Sequence, residues 1–235
     1  MANKATQPHT TVLVFDTETS GLPVTPRFGE YYAIDDFPKY AGSRLVQIAW
    51  QVVDLQSNGE VVREYQTLIS PQGSFRISKG STCIHGITQE HAESAGIPIE
   101  DMLQVLNEDL SDVDILAAHN LFFDIHILAS EMARAGPATP AGLLSRLTTM
   151  PSCCTMRTTT GICDLVTSWG SPKWPRLVEL HRFLFDGASF ENAHDALADV
   201  RATSKCLVQL LQTGLLTLTE RTRPSGILQK NPTNH

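Results

Sequence analysis

Asp16 and Glu18 stand two residues apart at the end of a short apolar run, Thr11 to Phe15. Residues at that spacing point to one face of a strand, so the two carboxylates lie side by side. Like charges held that close are costly unless a cation neutralises them or one stays protonated. Oxygen-only donors of this kind suit magnesium or manganese; a solvated acidic turn is the plainer reading of the pair taken alone. A third acid, Asp124, closes the segment Ala117-Ala118-His119-Asn120-Leu121-Phe122-Phe123-Asp124, where it sits on an otherwise apolar helix that follows an apolar strand. A carboxylate buried there needs a cation or hydrogen-bond donors, whereas one facing water needs neither. The third group is His194-Asp195-Ala196-Leu197-Ala198-Asp199. Helical positions five apart diverge by about 140°, which puts His194 on the approach to the last helix and Asp199 within it. Asp195 reads as a first-turn acid favoured by the helix dipole, and His194 alone would be a surface histidine.

These residues need a scaffold that brings distant segments together. Thr11 to Phe15 reads as a buried strand ending at Asp16, and Gly21 to Gly42 as a long loop rich in Pro, Gly, Asp and Tyr. Leu45 to Val53 and Val61 to Ile69 form an antiparallel hairpin about the turn residues Gln56-Ser57-Asn58-Gly59. Apolar residues at helical spacing mark helices over Pro98 to Leu110 and Asn120 to Ala135, with the strand Ile115 to Ala118 between them. A further strand is expected near Cys154 to Met156, then helices over Arg176 to Phe185 and Asp195 to Leu211.

The chain of 235 residues, 42% hydrophobic, is enough for one α/β domain and too little for two. A formal net charge of -7 excludes a broad basic surface for long nucleic acid, so any such contact is local. Five cysteines without a paired Cys-x-x-Cys spacing read as free thiols. Met1 to Thr11 lacks a signal-peptide core and no run reaches transmembrane length, so a cytoplasmic or nuclear protein without membrane contact is expected.

Taken together and in this order, Phe15-Asp16-Thr17-Glu18-Thr19-Ser20-Gly21-Leu22, Ala118-His119-Asn120 leading to Asp124, and His194 followed by Asp199 resemble the DEDDh (DnaQ-like) 3′-to-5′ exonucleases of the RNase H-like superfamily. The resemblance spans roughly residues 11 to 212 and includes His85-Gly86-Ile87-Thr88. It implies an α/β, RNase H-like fold with a mixed five-stranded sheet flanked by helices. The exonuclease domain would cover 11–216, between a flexible arm at 1–10 and a polar tail at 217–235.

The same resemblance implies two Mg²⁺ ions, replaceable by Mn²⁺, held by Asp16, Glu18, Asp124 and Asp199. Asp16 would bridge both ions, and Asp124 would act largely through water. His194 would be the general base, a task that suits an imidazole because it titrates around neutrality. Thr19 would meet the 3′ end through its backbone, and Leu22 and Ile84 would pack against the last base, core packing being the alternative for Leu22. Asn120 would either position the substrate or cap its helix. Tyr31, Tyr32 and Tyr40 are candidates to stack on a preceding nucleotide; Arg44, Lys173, Arg176 and Arg182 are given no role.

The expected partner is nucleic acid with a free 3′ end, single-stranded, with DNA as the first choice. An RNA-trimming enzyme or oligoribonuclease is the alternative within the class, and a small-phosphodiester hydrolase a more distant one. A proofreading or partner-binding subunit, contacting a polymerase or another protein through the tail from Thr219, is the alternative from another class. The long Pro23 to Ser43 loop and the stretch from Thr139 to Trp174 depart from a minimal family member and leave substrate preference open.

Overall fold

The computed structural model describes residues 10–27 and 29–218. Most of the expected N-terminal arm, and the tail beyond 218, lie outside the described residues. A five-stranded sheet in the order β3-β2-β1-β4-β5 forms the centre. Its strands are β1 (Thr11–Thr19), β2 (Leu45–Asp54), β3 (Glu60–Leu68), β4 (Ile115–Ala118) and β5 (Ser152–Cys154). β1 runs antiparallel to β2 and parallel to β4, and β5 is parallel to β4. The sheet is therefore mixed, with helices on both faces.

Alternation along β1 assigns its side chains to two cores. Leu13 and Phe15 pack with Met102, Leu106 and Ile125, under the Ile99–Asp109 and Leu121–Ala135 helices. Val12 and Val14 pack with Val200 and Leu207 of the Ala196–Gln212 helix. By the two-residue period Asp16 and Glu18 continue the second face, toward that last helix.

β1 does not stop at Asp16, as its apolar run predicts, but continues to Thr19. Pairing with β2 sustains it, through Glu18↔Gln47 and, past a register shift, Thr19↔Leu45. Parallel pairing with β4 ends at Val14↔Ala117, so the acidic half of β1 extends beyond its neighbour and one edge of its backbone is open to other partners.

β5 precedes the predicted Cys154 to Met156 strand, and Thr155–Thr158 is a helical turn. There Thr158 Oγ1 donates to the Cys154 carbonyl at 2.9 Å and Thr159 Oγ1 to that of Thr155 at 2.6 Å, bonds that favour the turn over a ladder. Short helices at Lys79–His85, Gln89–Ala95 and Leu143–Thr149 were not expected. The first two are capped by the hydroxyls of Ser78 and Thr88.

The long loop after Leu22 contains a single helical turn, Phe37–Tyr40, and is held by its own aromatics. Tyr40 is fully buried and its hydroxyl donates to the Tyr32 carbonyl at 2.7 Å. Tyr31 stacks on His126 with ring centroids 4.2 Å apart, and Lys39 lies over the Tyr32 ring. Tyr31 and Tyr40 anchor the loop to its own domain, which overturns the expectation that Tyr40 meets a nucleotide, while the Tyr32 ring meets Lys39 within the loop. At Gly29, φ is +79° and an added Cβ would meet the Trp174 ring at 2.9 Å, so only glycine lets the loop lie this close. Arg44 is likewise structural: it grips the buried Glu131 with Nε to Oε1 at 2.6 Å, fastening the start of β2 to the Leu121–Ala135 helix. All five cysteines are free, as expected. Among the described residues no helix is long and apolar enough to cross a membrane.

Candidate active site

Asp16, Glu18, Asp124, His194 and Asp199, drawn from three distant segments, line one cavity of about 560 Å³. A hollow of about 400 Å³ beside Val61, Phe185 and Arg201 contains none of them. Asp124 reaches the cavity because β1 outruns β4. Its Oδ1 accepts from the Thr17 backbone N–H at 3.1 Å and from Thr17 Oγ1 at 2.7 Å, taking up a main-chain donor near the open edge of β1. The side chain is buried, so the water-facing alternative does not hold.

On the opposite side the Ala196–Gln212 helix begins just after His194. Asp195 is its N-cap rather than a first-turn acid, accepting from Ala198 N at 3.1 Å. Asp199 lies within the helix, as expected, in its first turn, and its Oδ2 accepts from the His194 backbone N–H at 3.2 Å. His194 has φ 73° and an exposed side chain on the approach to the helix. Glu18, His194 and Asp199 each bring one ligand atom within 4.8 Å of the others.

The electrostatics are those of acids short of countercharge. Burial, then the charges of Asp124, Asp199 and Glu18, hold the Asp16 carboxyl well above the usual range. Glu18 is pushed up to about 8 by burial and by Asp199 and Asp124. Asp124 rises to about 7 through burial, opposed by its bonds to Thr17, and Asp199 to about 6 through burial, opposed by the His194 N–H. Asp199 Oδ1 is buried without a protein partner. An orphaned carboxylate oxygen among mutually repelling acids fits a hard divalent cation, which supplies the countercharge and takes oxygen donors.

A pH dependence follows. These carboxyls titrate near pH 4 when unfolded and higher when folded, so the stability they contribute as neutral groups is complete at low pH and lost as pH rises through 6 to 8. Between pH 5.5 and 8.5, Glu18 alone accounts for a loss on the order of 3 kcal/mol, or about 5 to 10 °C in melting temperature. Thermal melts in chelator should show this decline, and millimolar Mg²⁺ should flatten it. A melting temperature that rises with pH in chelator would contradict the cluster.

Of the predicted substrate contacts, Leu22 and Asn120 line the cavity, whereas Thr19 and Ile84 do not. Leu22 is 80% exposed and lines the cavity, so core packing does not apply to it. Ile84, also exposed, is on the Lys79–His85 helix. Its neighbour His85 accepts at Nδ1 from Ile87 N, which leaves Nε2–H to donate to the Thr19 carbonyl at 3.3 Å. Thr19 itself is buried, with its hydroxyl donating to the Gly21 carbonyl, so the turn carrying Leu22 is fixed from two sides. Asn120 lines the cavity in the left-handed region with φ 78°, a conformation asparagine tolerates, and makes no side-chain cap, which removes the capping alternative.

The apolar part of the lining was not anticipated. Phe123, Trp174, Pro175, Val178 and Phe190 give the cavity an apolar wall beside the acids. His119 pins that wall to the end of β4: Nε2–H donates to the Pro175 carbonyl at 3.0 Å and Nδ1 accepts from Thr155 Oγ1 at 2.9 Å. Burial pushes its pKa down to about 4, so the ring stays neutral. The adjacent His119-Asn120 was visible in the sequence, but its partners lie 36 and 56 residues away.

Comparison with known proteins agrees with this picture. The family model described as RNase_T, Exonuclease, matches residues 13–207. No curated protein matches the chain. Among solved structures, Escherichia coli exonuclease I in complex with a dA16 oligonucleotide aligns over 86% of the chain with TM-score 0.63 and 19% identity. The exonuclease I of Methylocaldum szegediense aligns over 86% with TM-score 0.60 and 19% identity. The chain spans only 41% and 40% of those two proteins. A 3′-exonuclease described in specific recognition of the 3′ end of a histone mRNA stem-loop aligns over 88% of the chain and 83% of its own length, with TM-score 0.59 and 13% identity. At these identities the structural likeness establishes the fold, which is the expected RNase H-like one, while the family match covers most of the chain. This chain belongs to the RNase_T exonuclease family, the metal-dependent 3′-to-5′ exonuclease hydrolases whose motifs its sequence carries.

Proposed function

We propose that this chain removes nucleoside monophosphates from the free 3′ end of single-stranded nucleic acid, with DNA as the preferred polymer. The observation that carries the reading is the convergence of four carboxylates and one histidine on a single cavity that apolar side chains also line. Such a cavity is of the size that takes small molecules, with acids for a phosphate's cations and an apolar side for a base. The domain doing this work is residues 11–216.

In this reading Asp16, Glu18, Asp124 and Asp199 hold two Mg²⁺ ions, with Mn²⁺ able to replace them. When bound, the ions supply charge stabilisation to the attacking and leaving oxygens of the phosphodiester. The protein's own groups do the rest. Thr17 fixes the Asp124 carboxylate by two hydrogen bonds, so its free oxygen keeps one direction. His194 takes the proton of the attacking water. Its backbone is tethered to Asp199 while its ring is exposed, so the proton can pass on to solvent. Leu22 and Ile84 offer apolar faces to the terminal base, the Thr19 backbone meets the 3′ end, and Asn120 positions the strand.

The preference for a single strand draws on the exonuclease I complex with single-stranded DNA, a property of that protein. The histone mRNA neighbour keeps the RNA-trimming alternative in view. Incubation with Mg²⁺ and 5′-labelled single-stranded DNA, duplex DNA and RNA of equal length tests both. The expected result is a ladder shortening from the 3′ end, fastest on single-stranded DNA. Faster shortening of RNA would transfer the assignment to RNA trimming, and no Mg²⁺-dependent shortening of any polymer would remove the exonuclease reading in favour of a binding role.

A further inference from the structure

Residues Leu165 to Lys173 form a small hairpin. Lys173 N donates to the Leu165 carbonyl and Thr167 N to that of Ser171, both at 2.8 Å, and Val166 pairs with Pro172. Thr167 Oγ1 accepts from both Trp169 N and Ser171 N, so a single hydroxyl braces the turn. At its tip Trp169 is 91% exposed, the most exposed large apolar side chain among the described residues. A tryptophan left in water forgoes about 2 kcal/mol or more of burial free energy, which a rigid turn does not require of it.

The hairpin is continuous with the cavity. Its second arm runs from Ser171 through Trp174 and Pro175 to the Leu177–Leu184 helix, and Trp174, Pro175 and Val178 of that helix belong to the apolar wall. Trp169 is five residues from Trp174, a reach of at most about 17 Å in extended chain, comparable to about five stacked nucleotides. The foot of the hairpin carries cationic charge. Lys173 Nζ and Arg176 Nη2 share one carboxylate, Glu179, at 2.5 and 3.2 Å, so the trio keeps one net positive charge, with the Arg176 side chain 72% exposed. An exposed aromatic and basic side chains on one short segment that leads into the cavity are the combination by which proteins hold single strands without reading sequence.

We propose that this hairpin extends the nucleic-acid contact beyond the catalytic cavity, whose lining already includes Arg176. Trp169 stacks on an unpaired nucleobase of the substrate strand, 5′ of the scissile bond, and Lys173 and Arg176 face its phosphates. The inference rests on the exonuclease reading for the direction of the strand, but it is tested by binding. Single-stranded DNA of 15 and of 3 nucleotides, fluorescein-labelled at the 5′ end and phosphorothioate-linked to resist cleavage, is titrated with the full chain in Mg²⁺ and followed by anisotropy.

Trp169→Ala should weaken the 15-mer about 10-fold, the 3-mer less than about twofold, and Trp169→Phe should restore most of the loss. A 15-mer affinity unchanged by Trp169→Ala, an equal loss on both lengths, or a Phe variant as weak as the Ala variant would each overturn the stacking role. A wild-type protein that binds the 15-mer through Trp169 but cuts no polymer would sink the exonuclease reading and leave this contact standing.

Discussion

Replacing Asp16 by asparagine is expected to lower kcat by about 10³-fold or more, about 4 kcal/mol, while making the metal-free protein more stable. Both signs come from the same crowding. Asp16 is the acid whose carboxyl feels Asp124, Asp199 and Glu18 at once, in addition to its own burial. In chelator at pH 8 the folded protein must either hold those charges together or keep a proton on Asp16, and an amide of the same shape removes that cost without opening a cavity. A melting temperature raised by about 5 °C corresponds to about 2 kcal/mol of relieved repulsion for a domain of this size. In Mg²⁺ the order should invert, because the wild type binds the ion in its folded state and the variant loses much of that linkage. Melts of both proteins in chelator and in Mg²⁺, beside rate measurements on a labelled oligonucleotide, check the three outcomes together. A variant that melts below the wild type in chelator would mean that Asp16 serves the fold rather than the metals.

Much of this site was legible from residue types alone, because the chemistry admits few substitutes. Asp16-x-Glu18 at a strand end, Asp124 on an apolar helix and His194 five residues ahead of Asp199 each break the local pattern around them, and the structure collects them in one cavity. The longer elements were also legible. β4 falls where its apolar run does, and the helices at Leu121–Ala135 and Ala196–Gln212 differ from expectation by a residue at most per end.

What the sequence did not disclose depends on contacts between segments far apart. The bonds from Thr17 to Asp124 join residues separated by 107 positions, and nothing local marks Thr17 as the donor. The apolar wall is assembled from Phe123, Trp174 and Phe190, which share no motif. β5 has three residues, too few for a two-residue period to emerge, and the helical turn after it is fixed by threonine hydroxyls whose targets a pattern does not reveal. The tyrosines of the long loop illustrate the ambiguity of aromatic residues: the ring that could meet a base instead meets His126 or the protein core.

His194 offers the sharpest separation between a catalytic and a structural role, because its backbone and its ring do different things. The N–H holds Asp199 and survives any side-chain change, whereas only the imidazole can take a proton. Its φ of 73° also sets which substitutions are clean. Alanine in the left-handed region costs roughly 1–2 kcal/mol, and glycine is free of that strain. His194→Gly therefore removes the base and leaves a gap of its size. Turnover should fall by about 10²- to 10⁴-fold, the range for a positioned general base, with KM and the Mg²⁺ concentration for half-maximal rate changed less than about threefold. Imidazole added to the buffer should then recover part of the rate in the glycine variant, increasing with the fraction of imidazole in its neutral form. Wild-type turnover in His194→Gly would remove the assigned role. A large loss that imidazole leaves untouched, accompanied by weaker Mg²⁺ activation, would make His194 a metal ligand alongside Glu18 and Asp199, the two acids whose oxygens lie within 4.8 Å of its ring nitrogen.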